Sequence, residues 1–145
     1  MKLEKLVQKL DAANPWTVER VESVFDSKLA LIRSNDVFMV YTAGPFHYEE
    51  GLVIEEVHLR LKADSNEMIR LIVRLSDDAS CFAFDRIKKT YPHTQIGPLA
   101  GPRGQSLDEE THYWTKRLWG HISFGFKERR PSCLSSVVFI PKAWE

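Results

Sequence analysis

Two runs of alternating side chains constrain this chain more than any other feature. Between residues 53 and 62 apolar side chains alternate with charged ones, and the same pattern returns between residues 69 and 75. A period of two is typical of strands that bury one face. Asp64-Ser65-Asn66, between the two runs, has the composition of a turn. We therefore predict a hairpin with one solvated face. That outer face carries Glu56, His58, Arg60, Lys62, Arg70 and Arg74.

Helical patterns occur in three places. Apolar residues at positions 3, 6, 7 and 10 predict an amphipathic helix over about residues 2–13, which Asn14-Pro15 ends. Thr17 is placed to cap a second, short helix. A third helix is predicted from Ser80 to Tyr91, with Asp77 and Asp78 at its start, where carboxylates suit the helix dipole.

The remaining apolar runs predict further strands, near residues 29–33, 37–41, 113–118, 122–126 and 133–140. Strands that follow one another through short turns favour an antiparallel sheet. We predict one α+β domain over residues 1–145, with a mostly antiparallel sheet of about seven strands and about three helices. Residues 92–110 show no periodicity, and a loop of that length is uncommon in a compact domain unless it is functional. Pro98, Gly101, Pro102 and Gly104 interrupt this segment.

Charge and termini suggest the compartment. Formal net charge is zero, whereas nucleic-acid binders usually carry a basic excess that neutralises phosphates. The charged N-terminus lacks the apolar run of a signal peptide, and no stretch approaches the ~20 apolar residues of a membrane span. We expect a cytoplasmic protein with no membrane partner. In a reducing compartment Cys81 and Cys133 are expected to be free thiols, and a disulfide between them is the minor alternative.

Motifs for catalysis and for metal binding are missing from the sequence. It contains no glycine-rich phosphate loop and no nucleophile elbow, and its five histidines are scattered. Cys81, near a predicted helix start, is interpreted as a core cysteine rather than a nucleophile. Glu56 and His58 share a strand face, but a solvated face is the simpler interpretation. We predict no enzyme activity, no metal and no cofactor.

A basic and aromatic segment supplies the main alternative function. Tyr113, Trp114, Lys116, Arg117 and Trp119 follow one another closely, and stacking aromatics with cations are typical of single-stranded nucleic-acid binding. The competing interpretation is that Trp119 and either Tyr113 or Trp114 fill the core. On that interpretation nucleic acid is not the partner.

Acidic clusters suggest a basic protein partner. The predicted partner-binding residues are Asp77, Asp78, Asp108, Glu109, Glu110, Tyr113 and Trp114. Carboxylates beside aromatic side chains can steer and complement a positively charged protein surface.

The order of these segments resembles a known family. A helical start precedes the strands beginning at Val53 and Arg70, then Asp77-Asp78-Ala79-Ser80-Cys81, the long loop, Trp119-Gly120-His121 and the strand from Cys133. This order is similar to the immunity proteins of contact-dependent growth inhibition systems, over about residues 3–140. The resemblance implies a strongly curved, Whirly-like sheet. It also implies that the chain binds and neutralises the C-terminal domain of a delivered bacterial toxin, a basic nuclease of the kind that cleaves ribosomal RNA. We expect a monomer in a one-to-one complex.

Overall fold

The computed structural model describes residues 1–96 and 106–145. Three α-helices occur in these ranges, with two single 3₁₀ turns at Glu49–Gly51 and Lys142–Trp144. The helices are α1 (Leu3–Ala12), α2 (Val18–Phe25) and α3 (Phe84–Thr90). None of the helices in the described ranges is long and apolar enough to cross a membrane.

In the described ranges nine strands form one sheet, and every pairing among them is antiparallel. They are β1 (Ala30–Ser34), β2 (Phe38–Ala43), β3 (Phe46–His47), β4 (Val53–Lys62), β5 (Met68–Leu75), β6 (Gln95–Ile96), β7 (Glu110–Arg117), β8 (Gly120–Lys127) and β9 (Leu134–Pro141). Their order is β1-β2-β4-β5-β9-β8-β7-β6, and β3 pairs with β4 beside β2. The α+β class and the antiparallel sheet are confirmed, and β3 and β6 are the short strands beyond the seven expected. Strong curvature and a Whirly-like topology stay predictions.

The predicted hairpin is β4–β5, and its alternation is broken at two points. Register shifts lie between Ile54 and Glu56 and between Arg60 and Leu61. Because each shift changes which residue faces the core, Ile54 is fully buried where the pattern favoured Val53, and Met68 is buried where it favoured Ile69. The remaining inward positions follow the predicted pattern. Val57, Leu59, Leu61, Leu71, Val73 and Leu75 are buried.

All three helices pack on one face of the sheet. Their buried side chains join a single core cluster with the inward residues of the sheet. From the helices come Leu3, Leu6, Val7, Leu10, Val21, Phe25 and Ile87. Thr17 caps α2 as predicted, since its hydroxyl accepts a 3.1 Å hydrogen bond from the Arg20 amide. In the turn of the β7–β8 hairpin, Trp119 packs edge-on against Trp16, with the two ring centroids 4.4 Å apart.

Two predictions around α3 are wrong. The helix begins at Phe84, not Ser80, so Asp77 and Asp78 lie in a turn and not at a helix N-terminus. In addition, Cys81 and Cys133 are joined by a disulfide across 52 residues, whereas free thiols were expected. The physical reason is local: the Leu134 amide donates a 2.9 Å hydrogen bond to the Phe82 carbonyl. That bond brings the segment before α3 alongside the start of β9.

Ion pairs tie the helices to the rest of the domain. Arg86 on α3 contacts Glu4 on α1 at 2.5 Å and Glu50 at 2.9 Å. Hydrogen bonding from the Arg86 guanidinium is the main cause that lowers the pKa of Glu4 below its ordinary value. Near the other end of α1, the Asp11 carboxylate accepts hydrogen bonds from Arg117 and from the Trp119 indole at 2.5 and 2.7 Å. Helix α1 is therefore held near both ends by charge-assisted hydrogen bonds.

Candidate functional site

The face of the sheet opposite the helices carries the candidate site. In antiparallel pairs, directly opposed residues share a face, so the pairings define rows across the sheet. One row on this open face runs Thr42, His58, Ile72, Val138, Ser123 and Trp114. The next contains Glu56, Arg74, Ser136, Gly125 and His112. The core cluster contains no residue of either row. We call this surface, formed by β4, β5, β9, β8 and β7, the open face.

A depression of about 440 Å³ lies in the middle of the open face. Its apolar lining is Ile72, Val138 and Ile140, and its polar lining includes Arg70, Arg74, His112, Ser123, Ser136 and Glu110. The volume lies within the range of small-molecule pockets, roughly 300–1,000 Å³. An apolar floor with a few convergent polar groups is the usual composition of a binding site.

The Glu110 side chain lies across the sheet because Gly125 leaves room for it. A Cβ at position 125 would stand 2.6 Å from a Glu110 carboxylate oxygen and 2.4 Å from the Ser136 hydroxyl. In the space that glycine provides, the Glu110 carboxylate accepts hydrogen bonds from Ser135 and from Ser136, the latter at 2.8 Å. A register shift between Gly125 and Phe126 leaves Ser135 outside the regular pairing, so both hydroxyls reach the same carboxylate.

A serine and a histidine meet beside this carboxylate. Ser123 Oγ lies 3.2 Å from His112 Nδ1, and His112 Nε2 lies 3.9 Å from a Glu110 oxygen. The second distance exceeds a hydrogen bond, so the three groups do not form the continuous relay that nucleophilic catalysis uses. The arrangement presents hydroxyl and imidazole groups that can donate to, or accept from, a bound molecule.

The β4 side of the face carries charged side chains of both signs. Arg74 contacts Glu56 at 2.9 Å, and the same Glu56 oxygen is 3.7 Å from His58 Nδ1. Burial, together with the Arg74 and Arg60 guanidinium groups, lowers the pKa of His58 despite the opposing effect of Glu56. His58 Nε2 is buried with no hydrogen-bond partner. A neutral imidazole is therefore the favoured form, because protonation would add a charge beside two arginines.

The predicted acidic residues gather at one corner of this face. Asp77 contacts Lys127 at 3.5 Å, and Asp108 contacts Arg129 at 3.0 Å. Arg130 donates a hydrogen bond to the Asp77 carbonyl at 2.5 Å. Asp77, Asp108 and Glu110, with Lys127, Arg129 and Arg130, form what we call the acid–base corner. Three carboxylates and three cations cancel in formal charge, so the corner is not the purely acidic surface that the sequence suggested.

Other predicted residues are distributed around the corner. Asp78 is exposed in the turn that follows β5, and its amide bonds the Ser76 hydroxyl at 3.2 Å. Glu109 lies just before β7, where its carbonyl accepts a 2.9 Å hydrogen bond from the Glu128 amide. Pro98, Gly101, Pro102 and Gly104 lie outside the described residues, so the structure does not address their predicted loop.

The aromatic residues of the predicted site are divided between the two faces. Tyr113 packs on the covered face, 4.3 Å from the Phe84 ring, and Trp119 also packs against the core cluster, each partly buried. The neighbouring Trp114 points to the open face, where its ring centroid is 6.0 Å from that of His121. Trp119 and Tyr113 therefore lie on the core side, as one interpretation of the sequence expected, but they border the core cluster and do not fill it.

Sequence reasoning placed the outer hairpin residues correctly but did not assign them to a site. Arg70 and Arg74 were predicted to face outward, and they now line the depression together with residues from β7, β8 and β9. The signal that could have identified them was the hairpin register, since a turn at residues 64–66 places Arg60 opposite Arg70. Ser123, Ser135 and Ser136 gave no signal, because serine on a strand is ordinary.

The comparisons with known proteins give no further assignment. Within the described ranges, no group of three or more His, Cys, Asp or Glu residues is arranged to hold a metal ion. No protein-family model, no curated protein and no solved structure matches the chain.

Proposed function

We propose that the chain is an immunity-type protein that binds one partner protein, a bacterial toxin domain, through the open face. One observation carries the proposal: the face has a depression with an apolar floor, rimmed by partly exposed charged side chains of both signs. A mixed-charge rim around an apolar centre is the usual anatomy of a protein interface. The segment order that resembles growth-inhibition immunity proteins gives the partner its class.

The face is large enough for a stable complex. Five strands spaced about 4.8 Å apart, each about 26 Å long, give a projected area of roughly 600 Å². Side chains that protrude from the sheet raise the accessible area above this projection. A standard interface buries about 800 Å² on each partner. An interface of this size would suit a one-to-one complex in which the chain blocks the active site of the toxin or access to its substrate.

The nucleic-acid alternative has less support from the described residues. Its stacking platform required Tyr113 and Trp119 on the same surface as Trp114, but both lie on the covered side. On the open face, Trp114 and Lys116 remain from the predicted segment. Carboxylates at Glu55, Glu56 and Glu110 on or beside that face would repel a phosphate backbone.

The proposal is tested by pairing the chain with the toxin-like domain encoded beside it in its native genome. Co-expression should restore growth of cells that produce the domain, and calorimetry should show one-to-one binding. Reversing Asp108, Glu109 and Glu110 to lysine should weaken that binding by at least tenfold if the corner contacts the partner. The matched control reverses three exposed carboxylates elsewhere, Glu19, Asp36 and Glu67. Normal growth inhibition in the presence of the chain, with no binding heat, would contradict the proposed function.

The proposal also includes a cytoplasmic location, since an immunity protein meets its toxin in the cytoplasm. Cys81 and Cys133 would then be in a reducing environment, where disulfides are rare. Thiol counting by mass spectrometry after rapid alkylation of cells tests this point. A fully oxidised cysteine pair in living cells would contradict the proposed cytoplasmic location.

A further inference from the structure

Two arginines face each other directly on the open face. In the β4–β5 pairing Arg60 is opposite Arg70, so both side chains leave the same side of the sheet. Cβ atoms of directly opposed residues lie about 4.5–5.5 Å apart, and like charges in such positions are destabilising. An unfavourable pair near the turn end of the hairpin calls for a compensating group.

Neither arginine has a carboxylate partner within residues 1–96 and 106–145. Three other arginines of these ranges, Arg20, Arg33 and Arg130, also lack one, whereas Arg74 pairs with Glu56 at 2.9 Å and Arg86 pairs with Glu4 at 2.5 Å. The guanidinium of Arg60 lies over the Phe38 ring, 4.7 Å from its centroid. That contact holds Arg60 in place without neutralising it. What distinguishes the pair is that its two arginines are directly opposed with no carboxylate of these ranges to compensate them.

The position of the pair within the open face suggests its role. Arg70 lines the depression, as do Asp108 and Glu110 of the acid–base corner. Arg70 is opposite Arg60 near the turn end of the hairpin, whereas Glu55 lies near the other end of β4. Between them is the apolar floor. The depression therefore carries the positive charge of Arg70 at one end and charges of both signs at the other, where Arg74 and Lys127 lie among the carboxylates.

We propose that the Arg60–Arg70 pair is a clamp for a carboxylate of the partner protein, which fixes the orientation of that partner on the open face. The inference rests on the proposed function for the nature of the partner. Two guanidinium groups can hold one carboxylate through paired N–H donors, a geometry in which arginine excels. The neighbouring Ile72 and Ile140 can contact the apolar part of the bound segment.

Charge complementarity favours a protein over a nucleic acid as the occupant. A polyphosphate that entered the clamp and continued along the depression would meet Glu55, Asp108 and Glu110, which lie among the cations Arg74 and Lys127. A protein surface can present an acidic group to the arginines and a basic group to those carboxylates. Complementary potentials of this kind set the register of an interface.

The clamp can be tested without knowing the partner. The probe is a capped hexaglutamate peptide, titrated into ¹⁵N-labelled protein at low salt while the arginine side-chain Nε–Hε signals are recorded. We expect saturable shifts at Arg60 and Arg70, and Arg70→Gln should weaken binding by about tenfold or more. Arg20→Gln is the matched control, because Arg20 is an exposed arginine on α2, which packs on the opposite face of the sheet. Equal affinities for the two variants, or no saturable shift in the wild type, would overturn the clamp.

Two further measurements complete the test. A six-residue oligothymidine should bind more weakly than hexaglutamate, and tighter binding of the oligonucleotide would replace the carboxylate by phosphate as the ligand.

Thermal unfolding supplies an independent readout of the uncompensated pair. Arg70→Gln should raise the Tm at low salt, and salt should reduce the difference, because screening already relieves the repulsion in the wild type. A lower Tm for Arg70→Gln would show a structural role instead. The toxin complex can form even if hexaglutamate does not bind the two arginines, and hexaglutamate can bind them even if no toxin complex forms. The two proposals can therefore be tested separately.

Discussion

Removal of the disulfide should destabilise the domain by about 4 kcal/mol. The bond joins Cys81 and Cys133 across 52 residues. In the chain-entropy description, closing a loop of that length removes about 14 cal/mol/K from the unfolded ensemble, which is about 4 kcal/mol at 25 °C. The figure is a large part of the 5–15 kcal/mol that stabilises a typical domain. Cys81→Ser with Cys133→Ser is therefore expected to leave a folded but much weaker protein.

Urea unfolding followed by tryptophan fluorescence measures this difference. With a slope of about 2 kcal/mol/M for a chain of this size, the midpoint of the double variant should fall by about 2 M relative to oxidised wild type. Wild type in a phosphine reductant should unfold like the double variant. Each single serine variant should match it too, since one cysteine cannot form the bond.

A difference of less than about 1 kcal/mol between the free energies of unfolding of oxidised wild type and the double variant would refute this account of the disulfide. Such a result would mean that the unfolded chain is already restricted near these residues, or that the bond strains the native state. The Leu134–Phe82 backbone hydrogen bond gives a local check. After reduction it must hold the two segments together alone, so hydrogen exchange of the Leu134 amide should accelerate more than exchange at the centre of β9.

Three further predictions concern the packing and titration of single residues. The pKa of His58 is lowered in the folded state, which therefore resists protonation of this side chain. The free energy of unfolding should fall as the pH drops below the ordinary pKa of 6.5. His58→Gln should remove that part of the pH dependence of the urea midpoint. Arg86→Gln should cost about 1 kcal/mol at neutral pH. Because the pKa of Glu4 is lowered, the contribution of this pair is present above the ordinary value of 4.5 and lost on acidification, so the variant should converge with wild type at low pH. Gly125→Ala should displace the Glu110 carboxylate and lower stability by about 1–3 kcal/mol in thermal melts, and an unchanged Tm would show that the carboxylate moves aside freely.

Local patterns predicted the elements, because their causes lie within a few residues. The alternation of apolar and charged residues predicted β4 and β5, and Thr17 predicted the start of α2. The errors about which residues of the β4–β5 hairpin face the core occur where one extra residue enters a strand. A register shift exchanges the inward residue, so Ile54 replaces Val53 in the core and no periodicity count reveals the point of exchange.

The site itself depends on pairings between distant segments. Asp77 follows β5 and Lys127 ends β8, and they meet because β5 and β8 both pair with β9. The same pairing brings Cys133 to Cys81, which a compartment argument could not foresee. The carboxylates of two separate acidic segments therefore meet at one corner, and the cations that pair with them there, Lys127 and Arg129, come from a third segment.

The neutral corner changes what its carboxylates can contribute to binding. A partner cation that approaches Asp108 must compete with Arg129, already 3.0 Å away, so binding exchanges one exposed ion pair for another. Such pairs are worth about 0–1 kcal/mol each, and an exchange is worth less than a new pair. Arg60 and Arg70 differ, because a partner carboxylate there relieves an existing repulsion and displaces no internal anion of the described residues. We therefore expect the apolar floor between these two ends to supply most of the affinity, the arginines to fix the orientation, and the corner to affect chiefly the rate of association.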